Sequence, residues 1–304
     1  MDFETFTELI RDEIEKKTTG CRVRLDDVTK NNGVVLRGLT VMWDDSNVSP
    51  IIYLNSHYDD YVAGRAALPD AVRSVLATYS MNKINRHVDM QFFLDYNDVK
   101  KRIACKLVNT EKNKSLLADV PHVEFMDLSV VFQCVVMQED PGMASILIRN
   151  AHMDSWGVSP DELYRVAREN TPRIFPYEIR SVAETLCDLF GETDLEECNH
   201  ECFLDMFAGD VPMFVLSNRN MTGGAVCMLY EDALRNFAET IGSDFFIIPS
   251  SVHELILVPS ENEGAVRDIK DMIREINDTQ VRDEEILSYS LYFYNRDMGK
   301  IVRK

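Results

Sequence analysis

Over roughly its last hundred residues the chain repeats one order, a pair of short apolar runs followed by an amphipathic helix, and that order restricts the folds open to it. Residues 213–216 and 225–229 read as strands joined across 220–224, and residues 231–241 read as a helix stopped by Gly242. Residues 245–248 and 254–258 make the next strand pair, and residues 262–276 the next helix. Residues 291–294 and 300–302 close the series as a hairpin around Asp297-Met298-Gly299. Strands joined by short turns pair antiparallel, and the helices then pack against the sheet they follow. The expected class is therefore α+β, with mixed or mainly antiparallel sheets, helices packed on one face, and two packed subdomains.

The opening residues obey the same logic. Phe3, Phe6, Leu9, Ile10 and Ile14 form a helical stripe that ends before Gly20. Two apolar runs then flank Asn31-Asn32-Gly33, a step that favours positive φ and so predicts a hairpin. Residues 50–54 supply a third strand and residues 68–79 a second amphipathic helix. From 82 to 115 the balance turns basic, with eight Lys and Arg against four carboxylates. The polar run 109–115 is the expected boundary, dividing the chain into 1–115 and 116–304.

Beyond it, residues 123–137 and 145–149 read as partner strands. Ser159-Pro160-Asp161-Glu162 states a helix start, with Ser at the cap and Pro in the first turn. Residues 178–190 are expected to be a helix. It opens the most acidic stretch of the chain, where ten carboxylates between 177 and 210 face only Arg180.

Charge narrows function more than motif does. The 304 residues carry a formal net charge of −19, and such a surface repels a nucleic-acid backbone. Direct non-specific nucleic-acid binding is therefore not expected; the expected partner is another protein, one with a basic surface fitting best. Seven cysteines, odd in number and widely spread, fit reduced thiols better than a disulfide framework. The first residues lack a signal-peptide pattern and no apolar run is long enough to span a bilayer. A cytoplasmic location with no membrane contact is expected, and nothing in the residues sets the oligomeric state.

Candidate chemistry is sparse. Cys198 and Cys202 stand at helical spacing with His200 between them and Cys187 upstream, a weak metal pattern because a second close pair of ligands is missing. No cofactor is expected, zinc being the one that this cluster admits. Asn55-Ser56-His57-Tyr58-Asp59-Asp60-Tyr61 places an imidazole beside carboxylates, so His57, Asp59 and Asp60 are acid–base candidates. The bland reading is that Asn55 or Ser56 caps the following helix while the tyrosines are partly buried. His152 and Asp154 form a second candidate pair, where Trp156 reads first as a packing anchor. His253 and Glu254 sit at a turn tip, and residues 220–225 read as a turn, since two glycines followed by a strand do not make a phosphate cradle.

Three runs, LDDVTKNNGVVLRGLTV, SPIIYLNSHYDDYVAGRAALPDAVRSVLATY and AVCMLYEDALRNFAETIGSDFFIIPSSVHELILVPS with INDTQV downstream, resemble a bacterial family known as domain-of-unknown-function family 5688. A fainter likeness, carried by DSWGVSPDELYRVAREN, is to the family numbered 1444. The resemblance implies a bacterial cytoplasmic α+β protein and carries no activity or catalytic residue with it. The expected function is that of a non-enzymatic interaction or regulatory protein using acidic surface. Two alternatives stand beside it. One is an enzyme centred on His57, Asp59 and Asp60 or on a Cys198/His200/Cys202 metal site. The other is an acidic nucleic-acid mimic that inhibits a basic partner.

Overall fold

A computed structural model describes residues 1–18, 20–43, 46–82, 88–139, 142–182, 184, 212–260 and 266–304. Two compact units emerge, Met1–Asp95 with Met137–Ala144, and Tyr96–Val136 with Ser145–Lys304. The strand registers given by the described residues are antiparallel, and the α+β class follows. Among these residues no helix is long and apolar enough to cross a membrane.

In the first unit, α1 (Phe3–Lys17) starts where the Asp2 carboxylate accepts from the Thr5 N–H at 2.8 Å. Its stripe of Phe6, Ile10 and Ile14 is fully buried. Strands β1 (Cys21–Thr29), β2 (Val35–Trp43) and β3 (Ile51–Tyr53) form a meander, β1–β2–β3. The predicted hairpin is made by Asn32 at φ 61° and Gly33 at φ 73°, conformations that Asn and Gly tolerate best. Helices α2 (Asn55–Val62) and α3 (Leu68–Asn82) follow. Leu39, Val41 and Ile52 from the sheet meet Phe6 and Ile10 of α1 and Val72 and Val75 of α3 in one core. Each such side chain contributes about 1.5–3 kcal/mol on burial.

The second unit opens with α4 (Tyr96–Val99) and β4 (Ile103–Asn109). Next come α5 (Lys114–Leu117), β5 (His122–Phe125), β6 (Leu128–Glu139) and β7 (Gly142–Leu147), the end of β6 and the start of β7 lying in the Met137–Ala144 stretch that groups with the first unit. Strands β4, β6 and β5 lie in that order, and β7 pairs with β6. The polar run 109–115 is a turn after β4, with Asn109 and Asn113 buried and the Asn109 amide donating to the Leu287 carbonyl at 3.0 Å. After α6 (Asn150–Trp156), α7 (Pro160–Ile174) begins as expected, with the Ser159 hydroxyl accepting from the Glu162 N–H. It packs on β4, where the Cys105 N–H donates to the Thr171 hydroxyl at 2.9 Å.

A six-stranded sheet completes this unit, from β8 (Tyr177–Ser181), β9 (Phe214–Asn218), β10 (Phe245–Ile248), β11 (Leu255–Pro259), β12 (Tyr292–Asn295) and β13 (Lys300–Arg303). Their order is β13–β12–β10–β11–β9–β8. Helix α8 (Glu231–Ile241) lays Phe237 against Phe214 and Phe245 on one face. Helix α9 (Val266–Thr279) lays Ile273 in the cluster of Phe246, Ile248 and Val258 on the other. Helices cover one face of the three-stranded sheet and both faces of this larger one.

Two local expectations change. The helix expected over 178–190 begins instead as β8, paired with β9 from Tyr177↔Asn218 to Ser181↔Phe214. Ser181 then exchanges reciprocal hydrogen bonds with Glu184, a helix-start signal placed three residues later than expected. The strand expected over 225–229 is a 3-10 turn, Gly224–Leu229. Its first five residues are all buried, and a continuous apolar run has no period by which strand and helix can be told apart.

Candidate functional site

The sequence candidates fall in three places. Residues 55–62 are themselves the helix α2, so Asn55 and Ser56 do not cap the element that follows; the cap position is Leu54. The Asn55 side chain instead accepts from the Arg37 N–H at 2.9 Å, tying α2 to β2. Tyr58 and Tyr61 are partly buried against the first core, as expected. His57 is half-buried, and burial holds its pKa below the ordinary value, with Asp60 opposing. Asp60 is bound by the Arg65 guanidinium at 2.8 Å, while Asp59 is exposed. The helix thus couples His57 to one carboxylate that already has a cation.

His152 and Asp154 stand on α6. The His152 Nδ1 accepts from the Arg149 N–H at 3.2 Å, and its ring lies 5.9 Å from that of Trp156. Trp156 also meets Tyr96, ring to ring at 6.1 Å, which is the packing role expected of it. Burial lowers the His152 pKa, helped by the Arg149 charge. Asp154 is exposed. Cys187, Cys198, His200 and Cys202 lie outside the described residues, as does the acidic stretch from 185 to 210. Among the described residues no three metal-ligating side chains gather. Burial pushes the thiols of Cys105 and Cys134 up to about 11 and that of Cys227 up to about 12. They are therefore protonated and inert at neutral pH.

Perturbed and polar groups converge elsewhere, where the loop after β9 meets the loop before β11. Asn218 is almost fully buried, and its side chain accepts from the Asn220 and Thr222 N–H groups and donates to the Thr222 carbonyl. That bracing presents the Gly223 N–H to the Nδ1 of His253 at 3.1 Å. The Ser217 hydroxyl donates to the His253 carbonyl at 2.8 Å, and the His253 N–H donates to the Ser251 hydroxyl at 3.0 Å. With Nδ1 accepting, the neutral ring carries its proton on Nε2. That nitrogen faces the Glu285 carboxylate at 3.8 Å, and Arg282 approaches the same oxygen at 3.7 Å.

Glu254 completes the corner. It is partly buried, none of the hydrogen bonds among the described residues goes to its carboxylate, and its oxygens keep contact with solvent. Burial pushes its pKa above the ordinary 4.5; His253 opposes this shift and Glu285 adds to it. A carboxyl whose folded pKa is raised holds its proton more tightly when folded. Its favourable contribution is full below the unfolded pKa and is lost as pH rises through the folded one. Glu254→Gln is therefore expected to raise the melting temperature at neutral pH. The gap should close as pH falls through the ordinary glutamate value, which melts across a pH series will measure.

His253 with Glu254 and residues 220–225 were visible in the sequence as two separate turns; Glu285 and Arg282 were not singled out, and the meeting of the three segments was not visible. Chemically the corner offers a ring N–H and two carboxylates, one of them lacking a donor, so it suits a cationic group. The Ser217 hydroxyl is committed to the His253 backbone carbonyl rather than to the imidazole.

Among curated proteins and solved structures nothing matches the chain. A family model does match, described as a family of unknown function (DUF5688) and spanning residues 3–296; it does not extend to the fainter likeness to family 1444. Since that span takes in both units and nearly the whole chain, the protein belongs to this family of unknown function.

Proposed function

We propose that the protein is a non-enzymatic interaction module that receives a basic segment of a partner protein, with the corner of His253, Glu254 and Glu285 as its anchor. One observation carries this reading: Glu254 is a partly buried carboxylate, held above its ordinary pKa by burial, with no hydrogen-bond donor among the described residues. A partner's Lys or Arg would supply the missing charge and relieve the repulsion from Glu285. The neighbouring Gly223–His253 and Ser217–His253 bonds keep the corner in shape before anything binds, so little ordering cost falls on association. The overall charge of −19 supports the same choice of partner, because it draws basic surfaces toward the protein.

The test is fluorescence anisotropy of a labelled Lys/Arg-rich peptide titrated with the full chain. Glu254→Gln and Glu285→Gln are each expected to weaken binding by about tenfold, the equivalent of about 1.4 kcal/mol. Glu239→Gln, on the exposed face of α8, is expected to leave it unchanged. Equal losses at all three positions would reduce the interaction to non-specific charge attraction and sink the proposal.

A further inference from the structure

The outer edge of β1 carries a pattern that fits a second copy of itself. Strand β1 pairs with β2 in a register running from Cys21↔Trp43 to Thr29↔Val35, and the Lys30 N–H donates to the Val34 carbonyl one step further on. Hydrogen-bonding direction alternates along an antiparallel strand. The backbones of Arg22, Arg24, Asp26 and Val28 therefore point to β2, while those of Cys21, Val23, Leu25, Asp27 and Thr29 point away from it. The other side of β2 gives the same phase. The Arg37 carbonyl accepts from Leu54 beyond β3, so Gly38, opposite Asp26, faces β1. Among the described residues nothing hydrogen-bonds the outward-pointing backbone groups, and β1 is an edge of its sheet over all nine residues.

Edge strands are commonly blunted by charge, and here the charges have an order. Arg22 and Arg24 precede Leu25, while Asp26 and Asp27 follow it. Placing a two-fold axis at Leu25 sets Leu25 against Leu25 of the partner subunit. Arg24 then lies opposite Asp26 of the partner subunit, and Asp26 opposite Arg24 of the partner subunit. These are non-hydrogen-bonded positions, where facing side chains come closest. Both residues are exposed and already meet at 2.9 Å within one chain, so each is free to turn toward the twin strand without desolvating a lone charge. Asp27 keeps its own cation, Arg37, at 2.9 Å. Shifting the axis by one residue would set Arg24 against Arg24 of the partner subunit, or Asp26 against Asp26 of the partner subunit. Like charges directly opposite are unfavourable, so a single register is selected.

We infer that β1 is a homodimerisation edge, joining two copies through antiparallel β1–β1 pairing centred on Leu25. The pairing is independent of the corner at His253. Sedimentation of the full chain tests it. The wild-type protein is expected to show a concentration-dependent species of twice the 34.9 kDa chain mass. Arg24→Asp and Asp26→Arg, each folded by circular dichroism, are expected to sediment as monomers. The double variant restores opposite charges across the axis and should recover the dimer; because it also restores the pair within one chain, the single variants must melt as the wild type does at a dilution where all are monomers, which a merely structural role would not allow. Should either single variant fail to fold, the double variant and amide exchange at Val23 and Leu25 decide. Protection there must grow with protein concentration. A wild-type chain that stays monomeric, a dimer indifferent to both single changes, or a folded double variant that stays monomeric would each overturn the inference.

Discussion

Asp127→Ala is expected to lower stability by about 3 kcal/mol or more, a large effect for a single polar change. Asp127 follows Met126, which holds φ 58° at the turn between β5 and β6, and its carboxylate is mostly buried. One oxygen accepts from the Ser288 and Ser290 hydroxyls at 2.6 and 3.0 Å, and the other accepts from the Tyr292 hydroxyl at 2.8 Å. Arg303 stands 3.9 Å away. Tyr292 is fully buried, and burial holds its hydroxyl above its ordinary pKa, so at neutral pH it remains a donor. Deleting the carboxylate strands these hydroxyls, and the bonds at stake join the four-stranded sheet to the last strands of the six-stranded one. The melting temperature should fall by roughly 6–12 °C, on the scale expected for a unit of this size. Asp127→Asn, which keeps one acceptor, should cost less, and calorimetry of the two variants will rank them.

Gly224→Ala is the second large effect, about 3 kcal/mol, and it acts through space rather than bonding. A methyl group at Gly224 would lie 2.5 Å from the His253 carbonyl oxygen and 2.7 Å from the Asn218 backbone nitrogen, and would also overlap the Ser217 hydroxyl. Two of these neighbours are backbone atoms of β9 and of the loop before β11, so neither yields without moving a strand. The substitution therefore tests the proposed site as well as stability, because the loops it forces apart are those that pose His253. Peptide binding should be lost with stability in this variant, whereas Glu254→Gln should weaken binding while the fold gains stability at neutral pH. That divergence separates the role of the corner in binding from its role in folding.

What could be read from the residues follows the range of the interactions concerned. The Asn31-Asn32-Gly33 hairpin and the Ser159 cap are encoded within a few positions, by groups whose backbone preference or hydrogen bond acts locally. Alternating or helical periods identified α1, α3, α8 and the strand pairs for the same reason. Residues 225–229 gave no period because the 3-10 turn is buried on all sides. Residues 178–181 were assigned to a helix whose start signal lies at Ser181, the last residue of the strand that Tyr177 and Ile179 build with β9.

The site shows the limit most clearly. His253 and Glu254 were visible as a turn, and residues 220–225 as another, yet nothing near either position indicates that the Gly223 N–H reaches the His253 ring thirty residues away. Asp127 and Tyr292, 165 positions apart, pose the same problem. The one available signal was indirect: Asn218 and Ser217 are polar residues at the end of an apolar strand, and buried polar groups require partners that have to come from somewhere.

Glu254, partly buried and with no hydrogen-bond donor among the described residues, is proposed to take its cation from a partner. A carbon-13 NMR titration of the Glu254 carboxyl in the full chain, with and without a Lys/Arg-rich peptide, tests it most directly. The midpoint should lie above the ordinary 4.5 in the free protein and move down when the peptide binds. A midpoint at or below the ordinary value in the free protein, or one that does not move at saturating peptide, would contradict it.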